Sequence, residues 1–103
     1  MHVQIPINER KLAAYCRRWR IVEFALFGSV IRDDFGPDSD IDVLITFEQD
    51  HRWSLFDLVH MKDELEEMLG RKVDLSTRKS VEQLRNPYRR EAILNSVHVI
   101  HAA

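Results

Sequence analysis

The sequence predicts one α/β (α+β) domain, residues 1–103, with a single sheet of about four strands flanked by helices. Three observations predict it. Two apolar runs, Ile21 to Phe27 and Ile41 to Phe47, alternate in the way of strands. A long amphipathic stretch from Ser54 to Leu69 separates the second run from a short third one, Lys72 to Leu75. A chain of 103 residues has room for one core and not for two.

The elements follow in order. Asn8 is an N-cap residue for a first helix to about Arg20, with Leu12, Cys16 and Trp19 on one face. The strand Ile21 to Phe27 ends at Gly28-Ser29, and Ser29 suits the start of a short helical stretch to about Asp34. Gly36-Pro37-Asp38 is a turn. Ile41, Val43, Ile45 and Phe47 share one face of the second strand. Ser54 caps the longest helix and Gly70 stops it. Leu58, Met61, Leu65 and Met68 form its buried stripe, with Trp53 and Phe56 expected in the core at its start and His60 packed near the stripe. Asp57, Asp63, Glu64 and Glu67 read as its solvated face. After the third strand, Ser80 opens a helical piece broken near Asn86-Pro87. Tyr88 to Asn95 is helical, and Val97 to Ile100 is a last edge strand.

Composition narrows the function classes. Hydrophobic residues make up 45% and charged residues 31%, which suits a packed soluble domain rather than a disordered one. The net charge of −2 lacks the basic excess of a protein that holds nucleic acid by electrostatics, so stable direct nucleic-acid binding is not expected. The single cysteine, Cys16, excludes an internal disulfide and a cysteine-based zinc site. No run approaches the length of a membrane span, and no secretory signal is visible at Met1 to Ile7. A cytoplasmic location is the expectation.

The chemistry concentrates between Gly28 and Val43. On a strand, Asp40 and Asp42 point to one face while Ile41 and Val43 point into the core. Two carboxylates ~5 Å apart repel by about 3 kcal/mol at an effective dielectric of ~20. A hard divalent cation relieves that repulsion. The same pattern also suits an exposed acidic strand end. Gly28-Ser29 directly after a strand lets backbone approach a phosphate, although Gly-Ser is also a common turn. Asp74, on the third strand, could meet Asp40 and Asp42 across the sheet. Three carboxylates beside a phosphate-cradling loop meet the needs of two-metal phosphoryl transfer. An EF-hand fails, because Val43 stands where glycine is required and Gln49 where glutamate is required. No Walker A sequence is present, which excludes a P-loop ATPase.

Gly28-Ser29-x-x-Arg32, then Ser39-Asp40-Ile41-Asp42, then Asp74 resembles the polymerase-beta-type nucleotidyltransferase superfamily. The short length resembles its minimal nucleotidyltransferase (MNT) members. The resemblance runs from the first helix to Asn86-Pro87-Tyr88-Arg89-Arg90. It implies the nucleotidyltransferase fold with one mixed sheet. It implies that Gly28 and Ser29 hold the β- and γ-phosphates of a nucleoside triphosphate, with Arg32 and Ser39 supporting the nucleotide or its loop. Asp40, Asp42 and Asp74 are implied to hold two Mg²⁺ ions, replaceable by Mn²⁺, and Asp74 to help deprotonate the incoming hydroxyl. ATP is the implied substrate and AMP the implied transferred group. Small relatives of this kind are typically antitoxins that modify a tyrosine of a HEPN-domain ribonuclease toxin, so a hetero-oligomer with that partner is expected. Asp33 departs from the glycine that often follows the motif arginine.

Two other functions fit the same resemblance: an antitoxin that inhibits by contact alone, and a transferase acting on a small molecule of the aminoglycoside kind. The second usually needs a further domain. Arg78, Lys79, Arg85, Arg89 and Arg90 gather after Asp74, where they read either as a solvated helix surface or as partners for phosphates or an acidic patch. His98 and His101, three apart on a strand, should face opposite sides and share no metal.

Overall fold

The computed structural model describes residues 7–31, 36, 38–48 and 53–102. Its elements are α1 (Glu9–Arg18), β1 (Ile21–Phe27), a 3₁₀ turn (Gly28–Ile31), β2 (Ile41–Phe47), α2 (Leu55–Leu69), β3 (Val73–Thr77), α3 (Arg78–Glu82), α4 (Pro87–Ser96) and β4 (His98–Ala102). The strands form one sheet in the order β3-β2-β1-β4. β1 runs antiparallel to β2 and β4, whereas β2 and β3 are parallel. A parallel pair needs a long crossover, and α2 supplies it. The expected mixed four-stranded sheet is therefore the one observed.

Local chemistry sets the boundaries. Asn8 Oδ1 accepts the Lys11 N–H at 3.1 Å and starts α1. The helix stops at Arg18, short of the expected Arg20, because Arg20 adopts φ 56° and turns the chain into β1. Ser54 and Asp57 form a reciprocal capping box at α2: Ser54 Oγ accepts the Asp57 N–H at 3.2 Å, and Asp57 Oδ2 accepts the Ser54 N–H at 3.0 Å. Gly70, at φ 70°, ends α2 in the left-handed conformation. Glu66 Oε2 then accepts the Val73 N–H at 2.8 Å, which ties β3 to α2 and holds that carboxyl below the usual carboxylate range. β3 extends to Thr77 rather than Leu75, since parallel pairing continues to Ile45↔Thr77. Thr77 Oγ1 accepts the Ser80 N–H at 3.1 Å, so α3 begins at Arg78 and not at Ser80.

The sheet is buried on both faces at its middle. Phe24, Leu26, Ile41, Val43 and Ile45 face α1 and α2, where Leu12, Tyr15, Cys16, Met61 and Leu65 complete the larger core. Ala25 and Leu44 alternate to the other face and pack against Val81 of α3, with Ile93 and Leu94 of α4 around them. This second, smaller core is what places a helical wall over the face that Asp42 shares with Leu44. Tyr15 Oη donates to Met61 O at 3.0 Å inside the larger core. Trp19 and Trp53 meet edge to face with centroids 5.1 Å apart, both half-buried at its margin.

Two core expectations fail. Phe56 is 83% exposed, and His60 is exposed as well. Both lie on the turns of α2 that point away from the Met61 and Leu65 stripe, a consequence of the 3.6-residue period. Among the described residues no helix is long and apolar enough to cross a membrane.

Cys16 gives a direct test of the packing. It is 0% exposed, and burial pushes its thiol up to about 11. Native protein at pH 8 is therefore expected to resist iodoacetamide, whereas protein in guanidinium chloride should gain one adduct by mass spectrometry. Rapid labelling of the native form would contradict this core.

Candidate active site

Alternation along β2 decides where the chemistry sits. Ile41, Val43 and Ile45 are fully buried toward α1 and α2. Asp42 must then point to the opposite face, beneath α3 and α4. The register sets Asp42 beside Asp74 on β3 and beside Phe27 at the end of β1. Neighbouring strands lie about 4.8 Å apart, so the sheet itself holds the two aspartates side by side.

Gly28 follows directly. It has φ 74°, a conformation that L side chains rarely adopt. A Cβ placed there would lie 2.1 Å from Asp42 Oδ2. The missing side chain thus makes room for the Asp42 carboxylate as well as for backbone approach to a ligand. Asp42, Asp74, Gly28, Ser76, Ser80 and Arg89 line one open cleft of about 370 Å³ between the sheet and the α3–α4 layer, with apolar side chains, Phe27 among them, beside these groups.

Asp40 is placed differently. It is exposed, precedes β2 by one residue, and is absent from the cleft lining. The sheet register puts Asp74, rather than Asp40, beside Asp42. The loop that carries Asp40 is nonetheless tied down. Gly36 N–H donates to Ser39 Oγ at 3.0 Å, and Ser39 N–H donates to Gly36 O at 3.1 Å. Arg71 donates to Gly36 O and Ser39 O, each at 2.7 Å. The Ile41 N–H donates to Lys72 O at 2.9 Å and starts the β2–β3 pairing. Ser39 therefore has a turn-closing role in this structure. Arg71 has no signal in the sequence, since a lone arginine after a helix-stopping glycine reads as surface. Ser76 and Ser96 carry no signal in the sequence either, and Ser80 reads only as a helix start, yet all three line the cleft. Arg32, Asp33 and the side chain of Ser29 lie outside the described residues.

The donor set suits a hard divalent cation. Asp42 and Asp74 offer only carboxylate oxygens. Magnesium is commonly held by one or two carboxylates, with substrate phosphates and waters completing its octahedron. Among the described residues, no group of three His, Cys, Asp or Glu side chains comes together as a metal cage. The histidines of β4 lie elsewhere: an irregular register sets His98 beside Leu26 and His101 beside Phe24, so simple alternation does not describe them.

The chain belongs to the nucleotidyltransferase domain family, whose model matches residues 9–100. It is 38% identical over 91 residues to "Putative protein adenylyltransferase MJ0435" of Methanocaldococcus jannaschii, covering 86% of this chain and 91% of the relative. It is 36% identical over 64 residues to protein adenylyltransferase MntA of Thermococcus cleftensis, covering 62% of this chain and 63% of that one. A solved structure described as a "putative minimal nucleotidyltransferase" superposes with a TM-score of 0.66 at 31% identity, covering 86% of this chain and 85% of the other. A toxin–antitoxin structure with AMP-PNP shares the fold, with a TM-score of 0.71 at 18% identity over 94% of this chain and 75% of that one.

Proposed function

We propose that this chain transfers AMP from ATP to a hydroxyl of a protein partner, a tyrosine of a cognate HEPN ribonuclease toxin, and acts as the antitoxin of that pair. The observation that carries the reading is the Asp42–Asp74 pair held by the sheet register beside Gly28. The name adenylyltransferase on relatives that align with most of this chain supports AMP as the transferred group. The toxin–antitoxin neighbour with AMP-PNP supports a toxin as partner and ATP as the bound nucleotide.

Each residue then has a task. The Gly28-Ser29 turn brings backbone to the β- and γ-phosphates, with Arg32 and Ser39 supporting the nucleotide or its loop. Asp42 and Asp74 would hold Mg²⁺, and Asp40, on the exposed loop just before β2, would have to turn toward them to join as a third ligand. Bound there, the ions neutralise phosphate charge and polarise the attacking and leaving oxygens. Asp74 takes the proton of the acceptor hydroxyl. The acceptor oxygen forms a bond to the α-phosphorus, the bond from that phosphorus to its bridge oxygen breaks, and pyrophosphate leaves. The cleft is open, so a protein acceptor can deliver its hydroxyl from outside.

The test mixes the purified chain, ATP, Mg²⁺ and the candidate toxin. The toxin's mass is expected to rise by one or more AMP units, and the toxin should stay inactive after the transferase is removed. Full recovery of toxin activity on separation, without a mass change, would make the chain a contact inhibitor.

A further inference from the structure

Two adjacent arginines, Arg89 and Arg90, lie in the first turn of α4, and their surroundings differ. Arg90 is half-buried, and its guanidinium donates to Leu84 O at 3.2 Å, which ties α4 to the end of α3. Arg89 is exposed and lines the cleft with Asp42, Asp74 and Gly28. Among the described residues its guanidinium makes no hydrogen bond or ion pair, whereas Arg18 pairs with Glu64, Arg20 with Glu48, and Arg71 with two carbonyls. Only its backbone N–H is engaged, donating to Asn86 Oδ1. Arg89 is thus a cation on the α4 wall of a cleft whose sheet wall carries two carboxylates.

We propose that Arg89 is a triphosphate-binding residue, reaching the phosphates of ATP from the α4 side; this rests on the nucleotidyltransferase reading of the cleft. Charge explains the need. A triphosphate entering beside Asp42 and Asp74 adds several negative charges to a wall that is already negative. Two divalent ions leave that sum negative, and among the described residues lining the cleft Arg89 is the one cationic side chain. A guanidinium suits the task because its planar donors match phosphate oxygens two at a time and it stays charged at any working pH. The anchoring of Arg90 to Leu84 holds the first turn of α4 in place while Arg89 remains available to a ligand.

The test is calorimetric titration with two probes, Mg-ATP and adenosine. Arg89→Gln is expected to weaken Mg-ATP binding by about 10–100-fold, the range for a hydrogen bond to a charged group, and to leave adenosine binding unchanged. Arg89→Lys should recover part of the loss, since it restores charge without the fork. Arg85→Gln, at an exposed position outside the cleft lining, should bind Mg-ATP as the wild type does. Equal Mg-ATP affinity for wild type and Arg89→Gln overturns the assignment, as does an equal loss for both probes, which would mark a structural effect. Failure of the wild type to bind Mg-ATP overturns this assignment and the nucleotidyltransferase reading together. If the Arg89 effect holds but the toxin gains no AMP, the phosphate contact stands and the protein-acceptor reading falls.

Discussion

Asp42→Asn is expected to reduce transfer of AMP by at least about 100-fold, because even residues that only orient metal ligands typically contribute 10–100-fold to affinity or activity. Asp42 is the central carboxylate of the cleft: its strand neighbours are Phe27 and Asp74, and its Oδ2 fills the space left by the missing Gly28 side chain. Asparagine keeps the shape and loses the charge. Hydrophobic burial of Ile41, Val43 and Leu44 around it is untouched, so the fold should persist. Stability should hold or rise slightly, since one of two like charges on adjacent strands is gone. Labelling of the acceptor with α-phosphate-labelled ATP, alongside a thermal melt, reads both quantities. Unaltered transfer would exclude Asp42 as a metal ligand. A large fall in melting temperature would mean that the carboxylate has a structural role instead.

The parts of the fold visible in the sequence are those where one local rule decides. β1 and β2 begin and end where the apolar alternation does. α2 lies between Ser54 and Gly70, as its capping residues dictate. Other features depend on partners distant in the chain. β3 reaches Thr77 because β2 offers it a parallel edge, which no property of Lys72 to Leu75 announces. Leu44 faces a second core that exists only because α3 and α4 return over the sheet. Phe56 is apolar by composition and exposed by helical phase.

The candidate site divides along the same line. Asp42, Asp74 and Gly28 were legible from residue type and spacing, and the sheet brings them together. The spacing of Asp40 and Asp42 suggests one continuous strand, but β2 starts at Ile41, and Asp40 belongs to a loop held by Arg71. Arg71 acts through two backbone carbonyls, and carbonyls carry no sequence signal. The cleft serines come from β3, α3 and α4, and only the tertiary fold makes them neighbours.

Gly28→Val should abolish detectable ATP binding, and the reason has two parts. The first is backbone: at φ 74° a β-carbon crowds the neighbouring carbonyl and costs roughly 1–2 kcal/mol, with β-branching making the position worse. The second is the site itself. A β-carbon would sit 2.1 Å from Asp42 Oδ2, far inside van der Waals contact, so the carboxylate must rotate away. That rotation displaces the carboxylate proposed to hold the metal, while the valine methyls fill the space that a triphosphate would need against the turn. Gly28→Ala separates these effects. It adds the clash with Asp42 but only one methyl of bulk, so it should weaken Mg-ATP binding less than valine does and adenosine binding least of all. Ser29→Ala deletes a single hydroxyl, a contact of about 0.5–1.5 kcal/mol, and its effect should be smaller than that of valine at position 28. The ordering Gly28→Val, then Gly28→Ala, then Ser29→Ala in loss of Mg-ATP affinity is the expected titration result. Wild-type affinity in Gly28→Val would remove this turn from the phosphate site, because no nucleotide pose against the turn can coexist with both the added side chain and an undisturbed Asp42.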